Sequence, residues 1–144
     1  MFSSIVVGTD GSDTARQAVI QAAEMARAVG SKLIVVSAYA PVAAKVESGG
    51  GPEAGDWNLG SDVLVEGVLS DAASATSASG IQVETRAVRG DAADALIQVA
   101  EEEGADLIVV GNKGMTGARR FLLGSVPNKV SHHAPCSVLI VRTS

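Results

Sequence analysis

The chain has 144 residues, of which 47% are apolar and 19% charged; this describes one domain of ordinary size with a real core and argues against wholesale disorder. Aromatics make up 3% of it and cysteine occurs once, so a base-stacking platform for single-stranded nucleic acid and an internal disulfide framework are both excluded. The net charge of −5 is uneven: residues 1–106 hold all 16 acids, whereas residues 107–144 hold Lys113, Arg119, Arg120, Lys129 and Arg142 and no acid, a balance that suits a small anion better than duplex DNA.

The opening Met1-Phe2-Ser3-Ser4 has no basic region ahead of an apolar stretch, so no signal peptide is expected. No apolar run approaches the roughly 18 residues that cross a bilayer. The expected location is cytoplasmic, with no membrane and no nucleic acid among the partners.

Ser4-Ile5-Val6-Val7-Gly8-Thr9 is a short β-branched run that reads as a buried strand. Asp10-Gly11 turns the chain and Ser12 caps a helix of about 17 residues, with Ala15, Ala18, Val19, Ala22, Met25, Ala26 and Val29 at helical spacing and Gly30 as its stop. Lys32 to Ala38 is a second buried strand. Pro41 to Gly60 holds five of the sixteen glycines and the single tryptophan, Trp57, and reads as a long surface loop.

Ser61 to Ser79 is a second helix, with Val63, Leu64, Val68, Leu69 and Ala72 expected on its inner face. Ile81 to Val88 alternates apolar and polar residues, the pattern of a half-exposed edge strand. Asp91 caps a third helix with Ala95, Leu96, Val99 and Ala100 inward, and Glu101-Glu102-Glu103 is expected as its solvated end. Ala105 to Val110 is a buried strand, Gly111 to Leu123 a loop, and Gly124-Ser125 opens a fourth helix that accepts Pro127 in its first turn. Ala134-Pro135 ends that helix, Cys136 packs at the start of the last strand, and Ser137 to Val141 is that strand. Strands alternating with helices predict a parallel sheet covered on both faces.

Ligands in such sheets bind at the carboxyl ends of the strands, where the strand order reverses. Two strand ends carry unusual chemistry: Gly8-Thr9-Asp10-Gly11-Ser12, and Gly111-Asn112-Lys113-Gly114 running on to Gly124-Ser125. Glycines let a backbone approach an anion closely, and the helix opened by Ser125 contributes free N–H groups and a positive dipole end. Lys113, Arg119 and Arg120 lie in the same loop. Together these parts suit phosphate. Glycines serving only turns and caps are the alternative. No Gly-x4-Gly-Lys-Ser/Thr phosphate loop and no Gly-x-Gly-x-x-Gly fingerprint is present, which argues against a P-loop motor or a dehydrogenase. His132, His133 and Cys136 offer at most three ligands from one segment, so no metal site is expected there.

Three segments, Ile5 to Ser12, Ala105 to Gly111 and Gly124 to Val141, together resemble the universal stress protein family in this order and over nearly the whole chain. The resemblance implies a single doubly wound α/β domain, residues 1–144, with a five-stranded parallel sheet of order 3-2-1-4-5. It also implies a branch that binds ATP or a related adenine nucleotide, AMP or cyclic AMP included, with magnesium accompanying ATP. Carried over by position, the nucleotide site comprises Thr9, Asp10, Ala38, Val110, Gly111, Lys113, Gly114, Arg119, Gly124, Ser125 and Val126. Asp10 belongs beside the ribose and base, Ala38 beside the adenine, Gly111 against the ribose, and Gly114, Gly124 and Ser125 on the phosphates. Where such proteins often carry a small hydroxyl residue this chain has Pro127, which offers neither hydroxyl nor N–H.

The implied function is nucleotide-dependent signalling or stress response. A slow ATPase, or an interaction protein with a structural glycine loop, are the alternatives. No catalytic residue is identified. The implied strand order makes the third and fifth strands the edges. Gln82, Glu84 and Arg86 defend the third, whereas Val138-Leu139-Ile140-Val141 is bare, so a homodimer through the last strand is expected.

Overall fold

Three continuous apolar runs become the three central strands of a parallel sheet. The structure, a computed structural model, describes residues 2–39, 61–77, 80–112 and 125–143. In chain order the elements are β1 (Ser4–Gly8), α1 (Asp13–Val29), β2 (Lys32–Tyr39), α2 (Ser61–Ser77), β3 (Val83–Arg89), α3 (Ala92–Glu103), β4 (Leu107–Gly111), α4 (Ser125–His133) and β5 (Ser137–Val141). The strands are ordered β3-β2-β1-β4-β5 and every neighbouring pair is parallel.

Successive side chains of a strand point to opposite faces, and that alternation divides the core in two. Ile5, Val7, Leu33, Val35, Leu107 and Val109 face α1 and α2. Val6, Ile34, Val36, Ile108 and Val110 face α3 and α4. β1 is buried along its whole length, as its uniform β-branched run requires.

The helix boundaries follow from their caps. Ser12 sits in extended geometry and its Oγ accepts from Ala15 N–H at 3.2 Å. Asp91 does the same for Asp94 N–H at 3.1 Å. Gly30 ends α1 in the left-handed region, φ 73°, its N–H donating to the Ala26 carbonyl. Cys136 is half-buried against the α3–α4 core at the start of β5, and that burial pushes its thiol pKa up.

Two expectations need correction. α2 keeps Leu69 and Ala72 inward as expected but shifts the rest of the face: Val65 and Thr76 are buried, while Leu64 is 53% exposed. Residues 65, 69, 72 and 76 form one helical stripe, and Leu64 lies a hundred degrees off it. Nor is Glu101-Glu102-Glu103 a merely solvated end. Glu102 and Glu103 bind the Arg86 guanidinium at 2.7 and 2.9 Å, and Glu103 also meets Lys32 Nζ at 3.7 Å. The Arg86 hydrogen bond, with a smaller one from Gln98, lowers the Glu102 carboxyl pKa. β3 begins at Val83 rather than Ile81, and α2 is described through Ser77. The Pro41–Gly60 segment with Trp57, and the expected helix end at residues 78–79, lie outside the described residues.

Candidate functional site

β1 and β4 lie side by side, Ile5 opposite Leu107 and Val7 opposite Val109. The strand order reverses between them, so their exits face each other at the carboxyl rim of the sheet. Beyond β1, Thr9 is buried; its N–H donates to the Val36 carbonyl at 2.9 Å and its Oγ1 accepts from Gly11 N–H at 3.1 Å. Asp10 is exposed, and its Oδ1 accepts from Ser12 N–H at 2.9 Å. This bond is an Asx turn that leads into the α1 cap. Gly11 adopts φ +86°, and a Cβ there would stand 2.9 Å from Val68 Cγ2 of α2. Both the dihedral and the contact demand glycine.

Beyond β4, Asn112 N–H donates to the Val141 carbonyl at 2.8 Å. Asn112 Oδ1 accepts from Thr143 N–H at 2.9 Å and from Thr143 Oγ1 at 3.2 Å. The exit of β4 is thereby tied to the segment that follows β5.

Between these exits runs a cleft. Gly8 of β1, Thr14 and Ala15 of α1, Val110 and Gly111 of β4, Val126 of α4, and Thr143 line it. Glycine and alanine on its walls leave room for a ligand to approach the backbone. The first turns of α1 and α4 both border it, so two positive dipole ends meet there. Among the described residues none that lines it carries a charge.

Of the residues singled out from sequence, Val110, Gly111 and Val126 line this cleft. Ser125 is exposed at the first residue of α4, and Asp10 is exposed on the turn after β1. Thr9 lines a separate groove between α1 and α2 with Gly11, Arg16, Val68 and Asp71. Ala38 is half-buried near the end of β2, in register with Val88. Lys113, Gly114, Arg119, Arg120 and Gly124 lie outside the described residues.

Gly8, in the strand end singled out from sequence, also lines the cleft, whereas sequence reasoning missed Thr14, Ala15 and Thr143 as cleft residues, and Asn112 as the group that holds Thr143. Among the described bases after residue 106, Lys129 is taken up by acids rather than left for an anion. Lys129 binds Asp94 at 2.9 Å and Asp91 at 3.5 Å, which straps α4 to the start of α3. The Asp94 hydrogen bond raises the Lys129 pKa. Among the described residues no three His, Cys, Asp or Glu side chains stand close enough to hold a metal ion, and no helix is long and apolar enough to cross a membrane.

A family model described as the universal stress protein family matches residues 1–142. A universal stress protein of Mycobacterium tuberculosis is 40% identical over 144 residues, covering 99% of this chain and 98% of its own. A universal stress protein solved in complex with cAMP superposes with a TM-score of 0.77 at 37% identity, covering 99% of this chain and 98% of that one. One from Archaeoglobus fulgidus in complex with dAMP gives a TM-score of 0.71 at 26% identity, over 97% of this chain and 98% of that one.

Proposed function

The chain belongs to the universal stress protein family, and from that premise we propose that it binds an adenine nucleotide and acts in stress response or signalling through a nucleotide-dependent change of shape or partner. The observation that carries this reading is the cleft at the reversal point of the sheet, walled by small residues and bordered by two helix N-termini. Relatives solved with cAMP and with dAMP support the adenine part.

The chemistry of the cleft fits such a ligand. Val110 and Val126 offer apolar surface to the nucleoside, and Gly8 and Gly111 let it lie against the backbone. The first turn of α4, with Ser125 at its start, receives phosphate oxygens. Gly114 and Gly124 extend that grip, and Lys113 and Arg119 supply charge. Asp10 and Ala38 serve the nucleoside end, with Thr9 bracing the turn that carries Asp10. Pro127 is buried in the first turn of α4 and gives no N–H, so the grip has one donor fewer for a long phosphate chain. With ATP as the ligand, the exposed Asp10 would be the carboxylate available to an accompanying Mg²⁺, which would supply charge neutralisation at the phosphates. The reading includes a cytoplasmic protein that pairs with a second copy through β5.

Mass spectrometry of small molecules released from the denatured purified protein, followed by calorimetry with ATP, AMP and cyclic AMP, tests the proposal. An adenine nucleotide in the released fraction, or saturable heat with one of the three, is the expected result. Absence of both up to millimolar ligand would overturn it.

A further inference from the structure

β4 and β5 leave the sheet together, Gly111 in register with Val141. Two residues past that register, Thr143 comes back against Gly111: a Cβ on Gly111 would stand 3.3 Å from Thr143 Cγ2 and 3.5 Å from its Oγ1. Thr143 is 6% exposed, and it lines the cleft with Gly111. Its orientation is not free. A backbone N–H can only donate, so the Asn112 atom that faces Thr143 N–H at 2.9 Å has to be the amide oxygen. The same oxygen takes the Thr143 hydroxyl at 3.2 Å.

A threonine hydroxyl has a single hydrogen and two lone pairs. With the hydrogen engaged by Asn112, Oγ1 presents only lone pairs to anything else. Phosphate oxygens are acceptors and are turned away. The donors on an adenine nucleotide are its sugar hydroxyls and the exocyclic amine of the base. Val126, in the first turn of α4, lines the same cleft as Thr143. Along a nucleotide the sugar is bonded to the phosphate and the base lies beyond it, so with phosphate at that helix end the sugar hydroxyls are the donors nearer to Thr143.

We infer that Thr143, oriented by Asn112, is a specificity-determining residue of the cleft that accepts a hydrogen bond from a sugar hydroxyl of the bound nucleotide. The inference rests on the nucleotide reading above and adds to it the part of the ligand that is sensed. It also makes the segment after β5 a working wall of the site.

Calorimetry with ATP and with 2′,3′-dideoxy-ATP tests this on the intact chain and on Thr143→Val, Thr143→Ser and Asn112→Ala. Valine keeps the shape of threonine and the backbone N–H bond to Asn112 while removing the hydroxyl. Thr143→Val should weaken ATP about five- to tenfold, the worth of one neutral hydrogen bond, and leave dideoxy-ATP unchanged. Thr143→Ser should restore wild-type affinity. Asn112→Ala should lose part of the discrimination, because the hydroxyl is no longer pinned.

A merely structural role would weaken both ligands alike, and that result overturns the inference. So does a Thr143→Val protein that binds ATP as tightly as wild type, or a wild-type protein that binds the two ligands equally, which needs no variant at all. Wild-type protein that binds neither ligand, nor AMP or cyclic AMP, refutes the nucleotide reading itself, a distinct outcome.

Discussion

Replacing Gly11 by alanine imposes two separate costs that the structure allows to be told apart. At φ +86° any L side chain is strained, by about 1–2 kcal/mol for the left-handed region. The new Cβ would also stand 2.9 Å from Val68 Cγ2, and overpacking of that kind costs about 1–3 kcal/mol. The total is about 2–5 kcal/mol. For a domain of this length that lowers the melting temperature by roughly 5–20 °C. Urea unfolding followed by circular dichroism measures it. The second variant is decisive. Val68 is half-buried, so Val68→Ala alone should cost about 1 kcal/mol. In the Gly11→Ala background the same change removes the collision and should recover about 1–2 kcal/mol of the loss, a coupling that a double-mutant cycle reads directly. The backbone part should persist. A Gly11→Ala protein within 0.5 kcal/mol of wild type, or strictly additive variants, would refute the reasoning at its geometric root.

Asp10 has a structural bond to Ser12 N–H and a proposed ligand role, and two substitutions separate them. Asp10→Asn keeps a carbonyl oxygen for the turn and should weaken nucleotide binding without loss of stability, whereas Asp10→Ala should lower both binding and melting temperature; unchanged affinity in both would remove Asp10 from the site. Ile140 is 37% exposed on β5, and Ile140→Lys should convert a wild-type dimer to monomer by light scattering across a dilution series; a monomeric wild type, or a dimeric variant, sinks the β5 interface. Asp106 accepts from both the N–H and the hydroxyl of Ser3, the N–H bond being the larger influence, and these bonds lower its carboxyl pKa in the folded chain. Its contribution is therefore present above the unfolded value near pH 4 and lost as pH falls through the lower folded value. Denaturation curves of wild type and Asp106→Asn should converge as the pH is lowered from 6 towards 2.5, and a gap that stays constant across that range counts against the assignment.

The parts of the fold legible in sequence were those set by local chemistry. Ile5-Val6-Val7 and Leu107-Ile108-Val109-Val110 read as buried strands because both neighbours of each strand are other strands and both faces are covered. Ser12, Asp91 and Gly30 marked helix ends through side chains or dihedrals that need no tertiary partner. α2 was harder. Val63, Leu64, Val65, Val68 and Leu69 wrap around more than one face, and only packing against β2, β3 and α1 chooses Val65 and Leu69 over Leu64. The glutamates ending α3 looked solvated because Arg86 is remote in sequence and becomes a partner only when β3 is laid beside β2.

The site divides in the same way. Val110, Gly111 and Val126 stand next to a strand end or a helix start, which is where a glycine-and-helix argument looks. Thr143 stands three residues past Ile140 in a stretch with no motif. Its place beside Gly111 follows from the register of β4 with β5, a tertiary quantity. One signal was available: a parallel pair whose strands both end near Gly111 and Val141 brings the residues just beyond them together, so polar residues such as Asn112 and Thr143 at those two positions are natural partners.

The charges over β3 have a further consequence. Glu84 is held by Lys32 at 3.2 Å, and Arg86 is clamped by two glutamates, so one border of the sheet is armoured with paired ions. The opposite border, Val138 to Val141, has none. In a polymer chemist's language the protomer is monovalent. Strand-to-strand growth requires two reactive ends, and the proposed pairing uses one; were it to meet its own copy about a two-fold axis, both would be consumed. In the proposed pairing through β5, the same α/β sheet that would be a link in a chain if both borders were bare becomes a chain stopper, and association of its edges would halt at two copies.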